Sequence, residues 1–207
     1  LLKHKLKNIS YSILNMAFGF FPVKKASVLM YHSIGDNGIL FTVTEKDFEQ
    51  QMRYLKNKKY NVIKLAELAE KLKKGEEIKP KTVAVTFDDA YQDNYSIAFP
   101  ILKRYYLPAT IFVPTAYIGK DMMNSEGKAI PVMSWREARE MEESGLVDFA
   151  SHSHTHPMMN KIAFEDVVDE VKTSENLLNQ NLKRPVKFFS FPKGKFKPEH
   201  ADYLKKQ

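Results

Sequence analysis

Two short stretches of the chain concentrate residues with chemically active side chains. The first is Asp88-Asp89, directly after the apolar run 81–87. Adjacent carboxylates at the end of a buried strand are costly unless one binds a metal ion or both are hydrogen-bonded. A helix cap with a surface salt bridge is the alternative. The second stretch is His152-Ser153-His154-Thr155-His156, which holds three of the six histidines. The chain has no cysteine, so disulfides, thiolate zinc sites and cysteine nucleophiles are excluded. Imidazole and carboxylate are then the ligands open to zinc or a similar divalent ion. His152 and His156 are four apart, so one turn can bring both onto one ion, with His154 pointing elsewhere. One carboxylate of the Asp pair would complete a set of two His and one Asp, leaving positions for water and substrate. A polar surface loop is the alternative for the histidines. His32 follows a third strand-like run, 26–31. A lone loop histidine is more often structural, and it gains weight only if its strand end shares a rim with the other two.

The elements that must position these groups alternate between strand and helix. Thr44 can cap a helix, with Asp47 three residues on, and Phe48, Met52 and Leu55 recur on one helical face. Residues 61–63 form a brief strand and 65–74 a helix ended by Gly75. Run 81–87 lacks period-2 alternation, as a strand buried on both faces does. Residues 95–106 read as a helix carrying Pro100, so a kink or break is expected there. A buried strand at 109–113 follows, then a helix at 135–144 capped by Ser134 and closed by Gly145. Next come a strand at 146–150, a long helix at 164–181, a strand at 186–191 ended by Pro192-Lys193-Gly194, and the start of a helix at 201–207. Repeated strand–helix units with buried strands predict an α/β fold with a parallel sheet or barrel. Functional groups in such folds gather at strand ends.

The 207 residues suit one domain, and 43% hydrophobic with 12% aromatic content excludes a disordered chain. The net charge of +7 is modest. Its clusters, such as 56–59, 71–74 and 193–197, read as solvated loops and helix ends, and no aromatic-interleaved basic stripe points to nucleic acid. Lys3, His4, Lys5 and Lys7 precede a nearly uncharged stretch, 9–21. That pattern resembles a secretory leader and is short of the roughly 20 residues of a membrane span; an amphipathic helix packed on the domain is the alternative. The expected division is therefore a leader-like or amphipathic segment, 1–25, and one domain, 26–207, expected as a monomer. The stop at 207 leaves open a closing segment of the barrel beyond it.

These motifs resemble a family. Thr86-Phe87-Asp88-Asp89-Ala90 is similar to the Thr-Phe-Asp-Asp-Gly/Ala motif of polysaccharide deacetylases of the NodB-homology type (carbohydrate esterase family 4), and His152 to His156 is similar to that family's His-Ser/Thr-x-x-His motif. The resemblance spans roughly residues 27–197. It implies a distorted (β/α) barrel with fewer than eight regular units. It also implies a divalent ion on Asp89, His152 and His156 (zinc first, with cobalt, nickel or manganese as alternatives), and Asp88 as general base. The family's Arg-x-Pro-Tyr-Gly motif appears as Ser190-Phe191-Pro192-Lys193-Gly194, with Ser190 in place of Arg and Lys193 in place of Tyr. Leu29-Met30-Tyr31-His32-Ser33-Ile34 resembles the early Tyr-His segment of the branch acting on poly-β-1,6-N-acetylglucosamine, a biofilm exopolysaccharide, where the third motif lacks its Arg. On that resemblance His32 is the general acid and the Lys193 backbone N–H is the oxyanion donor; from the residues themselves, Tyr91, two past Asp89, is expected to border the site and the apolar face of Trp135 to line a sugar groove. For Trp135, anchoring a helix to the core is the alternative. The implied function is metal-dependent N-deacetylation of that polysaccharide, outside the cytoplasm or at the cell envelope, with the N-terminal stretch as a leader or membrane-proximal anchor. A peptidoglycan or chitin-oligosaccharide deacetylase, and a non-catalytic carbohydrate-binding protein of the same fold, are the alternatives.

Overall fold

The computed structural model describes residues 26–39, 41–124 and 127–206; the reading of 1–25 lies outside them. Strand β1 (Ser27–Tyr31) leads through β2 (Ser33–Ile34) and β3 (Thr42–Val43) into α1 (Glu45–Asn57). Then come β4 (Asn61–Val62), α2 (Leu65–Lys73), β5 (Thr82–Phe87), a π-helical turn (Asn94–Ala98) and α3 (Phe99–Tyr105). Strand β6 (Ala109–Val113) precedes the hairpin β7 (Asp121–Met123) and β8 (Ala129–Pro131). The chain continues with α4 (Trp135–Glu143), β9 (Val147–Ser151), α5 (Phe164–Asn181) and α6 (Pro198–Leu204). Strands β1, β5, β6 and β9 lie side by side, all parallel, and β4 pairs in parallel with the start of β5. This is the α/β arrangement the alternating pattern predicts, and among the described residues it has fewer than eight regular units, as the resemblance implies.

Local chemistry explains the boundaries. The Asp47 N–H donates to Thr44 Oγ1 at 3.1 Å, capping α1. At α4 the capping box is complete. Glu137 N–H donates to Ser134 Oγ at 3.3 Å, and Ser134 N–H donates back to Glu137 Oε2 at 2.7 Å. Pro100 is the second residue of α3 in a continuous helical run, and the π-helical turn directly before it, where Phe99 N–H donates to Asn94 O, accommodates the N–H that proline lacks. The expected break therefore falls just before it, as the π-helical turn. All six residues of β5 and all five of β6 are buried, because neighbours cover both faces.

The expected strand at 186–191 is a correction. Only Phe189 bridges the sheet, opposite Ser151, through Ser151 N–H to Phe188 O at 3.0 Å and Ser190 N–H to Ser151 O at 2.9 Å. The segment lies at the sheet edge with its side chains half-exposed or exposed, and Pro192 supplies no further donor. The last helix begins at Pro198, earlier than the sequence pattern places it.

Packing fixes the strand ends that matter. Tyr31, Phe48 and Phe87 form an aromatic knot with ring centroids 5.1 to 5.7 Å apart. Phe48 and Phe87 are fully buried, and each contributes about 2–3 kcal/mol by leaving water. The knot clamps α1 against the carboxyl ends of β1 and β5, just beneath His32 and Asp88. Among the described residues no helix is long and apolar enough to cross a membrane.

Candidate active site

Parallel pairing puts the carboxyl ends of β1, β5 and β9 on one rim, and each is followed by a chemistry-bearing residue: His32, Asp88-Asp89 and His152. The turns are pinned across strands. Asp88 N–H donates to Tyr31 O at 2.9 Å, and His152 N–H to Val113 O at 3.0 Å. Asp89 (φ 71°), Ala90 (52°), Ser153 (68°), His156 (60°) and Lys193 (56°) all hold left-handed backbone without being glycine. Such conformations cost on the order of 1–3 kcal/mol each and persist where surrounding contacts enforce them.

Asp89, His152 and His156 converge. Asp89 Oδ1 lies 3.7 Å from His152 Nε2 and 3.3 Å from His156 Nε2, and one donor atom from each residue falls within 4.8 Å of the others. Bonds of about 2.0–2.2 Å to a shared divalent ion place neighbouring donors roughly 3–3.6 Å apart. Asp89 Oδ1 is also buried without a hydrogen-bond partner, a costly state for a carboxylate oxygen unless a cation faces it. These residues fit a divalent ion. His152 Nδ1–H donates to the Ser190 carbonyl at 2.9 Å, which turns the Nε2 lone pair toward Asp89. Burial pushes the pKa of both imidazoles down, against the opposing pull of the carboxylates, so both favour the neutral form that ligates metal.

Asp88 faces the same space. It is buried, with Oδ2 3.9 Å from His152 Nε2. Burial raises its pKa first; the His152 charge opposes this and Asp89 adds to it. His32 is half-buried, its pKa lowered by burial and raised by the charge of Asp89, and it acts electrostatically on His156. Lys193, in the turn after Phe191, also acts on His156. The structure thus gathers His32, Asp88, Asp89, His152, His156 and Lys193 on one rim. Tyr91 is 5% exposed, and its hydroxyl bonds to the Asp89 carboxylate, with burial the larger cause of its raised pKa. It backs a candidate ligand instead of offering an open surface. The half-buried Trp135 packs against the main apolar core. His154 points away, its Nδ1 2.9 Å from Thr115 Oγ1.

Glu170 escaped the sequence reading. Glu170, on α5, accepts the His154 N–H at 2.8 Å and the Thr155 N–H at 2.7 Å through Oε2, and the Thr155 hydroxyl through Oε1. His156 N–H in turn donates to Ser153 Oγ at 3.0 Å. Glu170 therefore holds the strained loop between the two candidate ligands. Glu170→Ala is expected to weaken divalent-ion affinity about 10- to 100-fold, as loss of ligand-orienting partners does. Competition with a chromophoric chelator measures it, and an unchanged dissociation constant would remove Glu170 from this role.

With the geometry in hand, comparison with known proteins gives the family. A polysaccharide deacetylase family model matches residues 75–207. The chain belongs to the polysaccharide deacetylase family. This chain is 32% identical over 174 residues to a poly-β-1,6-N-acetyl-D-glucosamine N-deacetylase of Staphylococcus epidermidis, covering 80% of this chain and 58% of that one. A Staphylococcus aureus protein of the same name is 29% identical over 205 residues, covering 92% of this chain and 68% of that one. The chain thus spans well under the full length of both. Among solved structures, the Streptococcus pyogenes deacetylase PplD in complex with acetate superposes with a TM-score of 0.77 at 26% identity, covering 90% of this chain and 81% of that one. The structure of IcaB from Ammonifex degensii gives a TM-score of 0.79 at 24% identity, covering 88% and 80%, and shares the fold. The distorted (β/α) deacetylase architecture expected from the motifs is the one found.

Proposed function

We propose that this deacetylase hydrolyses N-acetyl groups on N-acetylglucosamine residues of poly-β-1,6-N-acetylglucosamine, at a divalent-ion site held by Asp89, His152 and His156. The observation that carries the reading is the partnerless buried Oδ1 of Asp89, aimed between two imidazoles, with Asp88 and His32 beside them. An ion bound there supplies Lewis-acid polarisation of the acetyl carbonyl and acidifies water. Asp88 takes the proton of the attacking water as oxygen adds to the acetyl carbon. The Lys193 backbone N–H donates to the developing oxyanion, a role independent of the side chain that replaces the family's Tyr. His32 gives a proton to the departing nitrogen as the C–N bond breaks, leaving acetate and a free amine. The polymer assignment draws on the early Tyr31-His32 segment, the absence of an Arg at Ser190, and the named activity of the staphylococcal relatives. With such a substrate the enzyme works outside the cytoplasm or at the cell envelope. Zinc is the ion we favour, because two His and one carboxylate suit it.

Acetate release from matched oligomers of β-1,6-linked N-acetylglucosamine, chitin and peptidoglycan tests the assignment. The β-1,6 oligomer should be the fastest substrate. Faster release from either of the others overturns the polymer, and sugar binding without release from any of the three overturns the reaction.

A further inference from the structure

Phe41 is expensive and unexplained by the chemistry above. It is 66% exposed and holds φ at 67°, so a bulky aromatic carries left-handed strain without gaining burial. The surrounding turn is nonetheless braced. Asn37 Oδ1 accepts the Ile39 N–H at 3.2 Å and the Thr42 hydroxyl at 2.7 Å. The Asn37 amide donates to Ser33 Oγ, whose hydroxyl donates to the buried side of Asp93. Lys128 Nζ closes the turn on the Asn37 carbonyl. This network fixes an apolar ring in water, and it fixes it at one place: stacked on His32, with centroids 5.4 Å apart and planes 27° from parallel. One face of Phe41 covers the rim imidazole, and its exposure leaves the rest of the ring open.

We infer that Phe41 is a sugar-stacking subsite, whose open face receives the apolar face of a pyranose ring one step along the polymer from the ring being deacetylated. The inference rests on the reading of His32 as the group facing the reacting nitrogen. His32 feels the charge of Asp89 and stacks on Phe41, so a single imidazole links the place of the acetamide to the exposed aromatic ring. A chain of N-acetylated hexosamines crossing the rim would therefore bring a neighbouring ring over Phe41. A rigid aromatic of two side-chain torsions binds such a face at little entropic cost.

The test is the chain-length dependence of Phe41→Ala on β-1,6-linked N-acetylglucosamine, from monosaccharide to tetramer. The loss in kcat/KM should grow with length to roughly 3- to 10-fold, be carried by KM, and be reversed by Phe41→Trp. A loss of equal size at every length, carried by kcat, would mean that Phe41 only props His32, and would overturn the subsite. No loss at any length would do the same. Saturation-transfer NMR of uncleaved tetramer on Asp88→Asn protein, with and without Phe41→Ala, reads the subsite apart from turnover. Weaker ring contact in the double variant supports it, and equal contact overturns it. If wild-type protein releases no acetate yet this contrast is seen, the proposed reaction fails and the subsite stands.

Discussion

Asp88→Asn should lower kcat for acetate release by about 10²- to 10⁴-fold, the usual contribution of a positioned general base. Asparagine keeps the size and shape of the side chain, so the packing around this buried position and the bond from its N–H to Tyr31 O survive. What disappears is the proton acceptor. Ser190 stands where the resembled third motif has an arginine. Among the described residues, the ionisable partner of Asp88 within 4 Å is His152. Removing the charge at Asp88 therefore breaks no salt bridge to lysine or arginine, and the variant should fold normally. Divalent-ion affinity should stay close to wild type, since Asp89, His152 and His156 are intact. The decisive pair of measurements is kcat on the oligomer and the ion's dissociation constant on the same preparation. A variant that keeps more than a tenth of wild-type kcat sinks the base assignment. One that loses ion binding in parallel reassigns Asp88 to the ligand set.

How much of this was legible depended on whether a feature repeats along the chain. The long elements announced themselves. Phe48, Met52 and Leu55 mark α1 by period, Thr44 and Ser134 mark helix starts by hydrogen-bonding chemistry, and the unbroken apolar runs of β5 and β6 mark strands covered on both faces. Once those strands are parallel, the residues after them must share a rim, so Asp88-Asp89, His152 and His32 could be placed together from sequence. Short elements carry no period. The two-residue pairing of β2 with β3 and the β7–β8 hairpin gave no signal, whereas Pro100 marked the π-helical turn beside it. The apolar composition of 186–191 overstated a segment that pairs at a single residue, because a sheet edge ending in proline cannot extend the ladder. Glu170 was invisible for another reason: it acts on backbone N–H groups 15 and 16 residues earlier, through a contact created only when α5 packs beside the histidine loop. Phe41 was likewise hidden, since its meaning lies in an exposed ring and a positive φ. The candidate ligands and acid–base groups were readable, and Glu170 and Phe41 beside them were not.

Stripping divalent ions should abolish acetate release, and Asp89→Ala or His152→Ala should do so irreversibly. The argument is electrostatic. Asp89 Oδ1 is buried with no hydrogen-bond donor, and the nearest positive density available within the protein is two imidazoles whose pKa values are lowered by burial. A cation is the economical solution to that geometry, and its binding to the folded state alone must also stabilise it. At an ion concentration 100 times the dissociation constant the gain is about 2.7 kcal/mol, visible as a melting temperature that rises with added ion. Asp89→Ala should erase that rise along with activity. His154→Ala should keep a stoichiometry of one ion per chain, because its ring turns to Thr115. Zinc, cobalt, nickel and manganese can be compared in one titration, since all accept two His and one carboxylate and differ in affinity in a known order. If Asp89→Ala melts with the same ion dependence as wild type, the ion binds elsewhere. The orphaned oxygen then marks strain alone, and the catalytic reading of this rim falls with it.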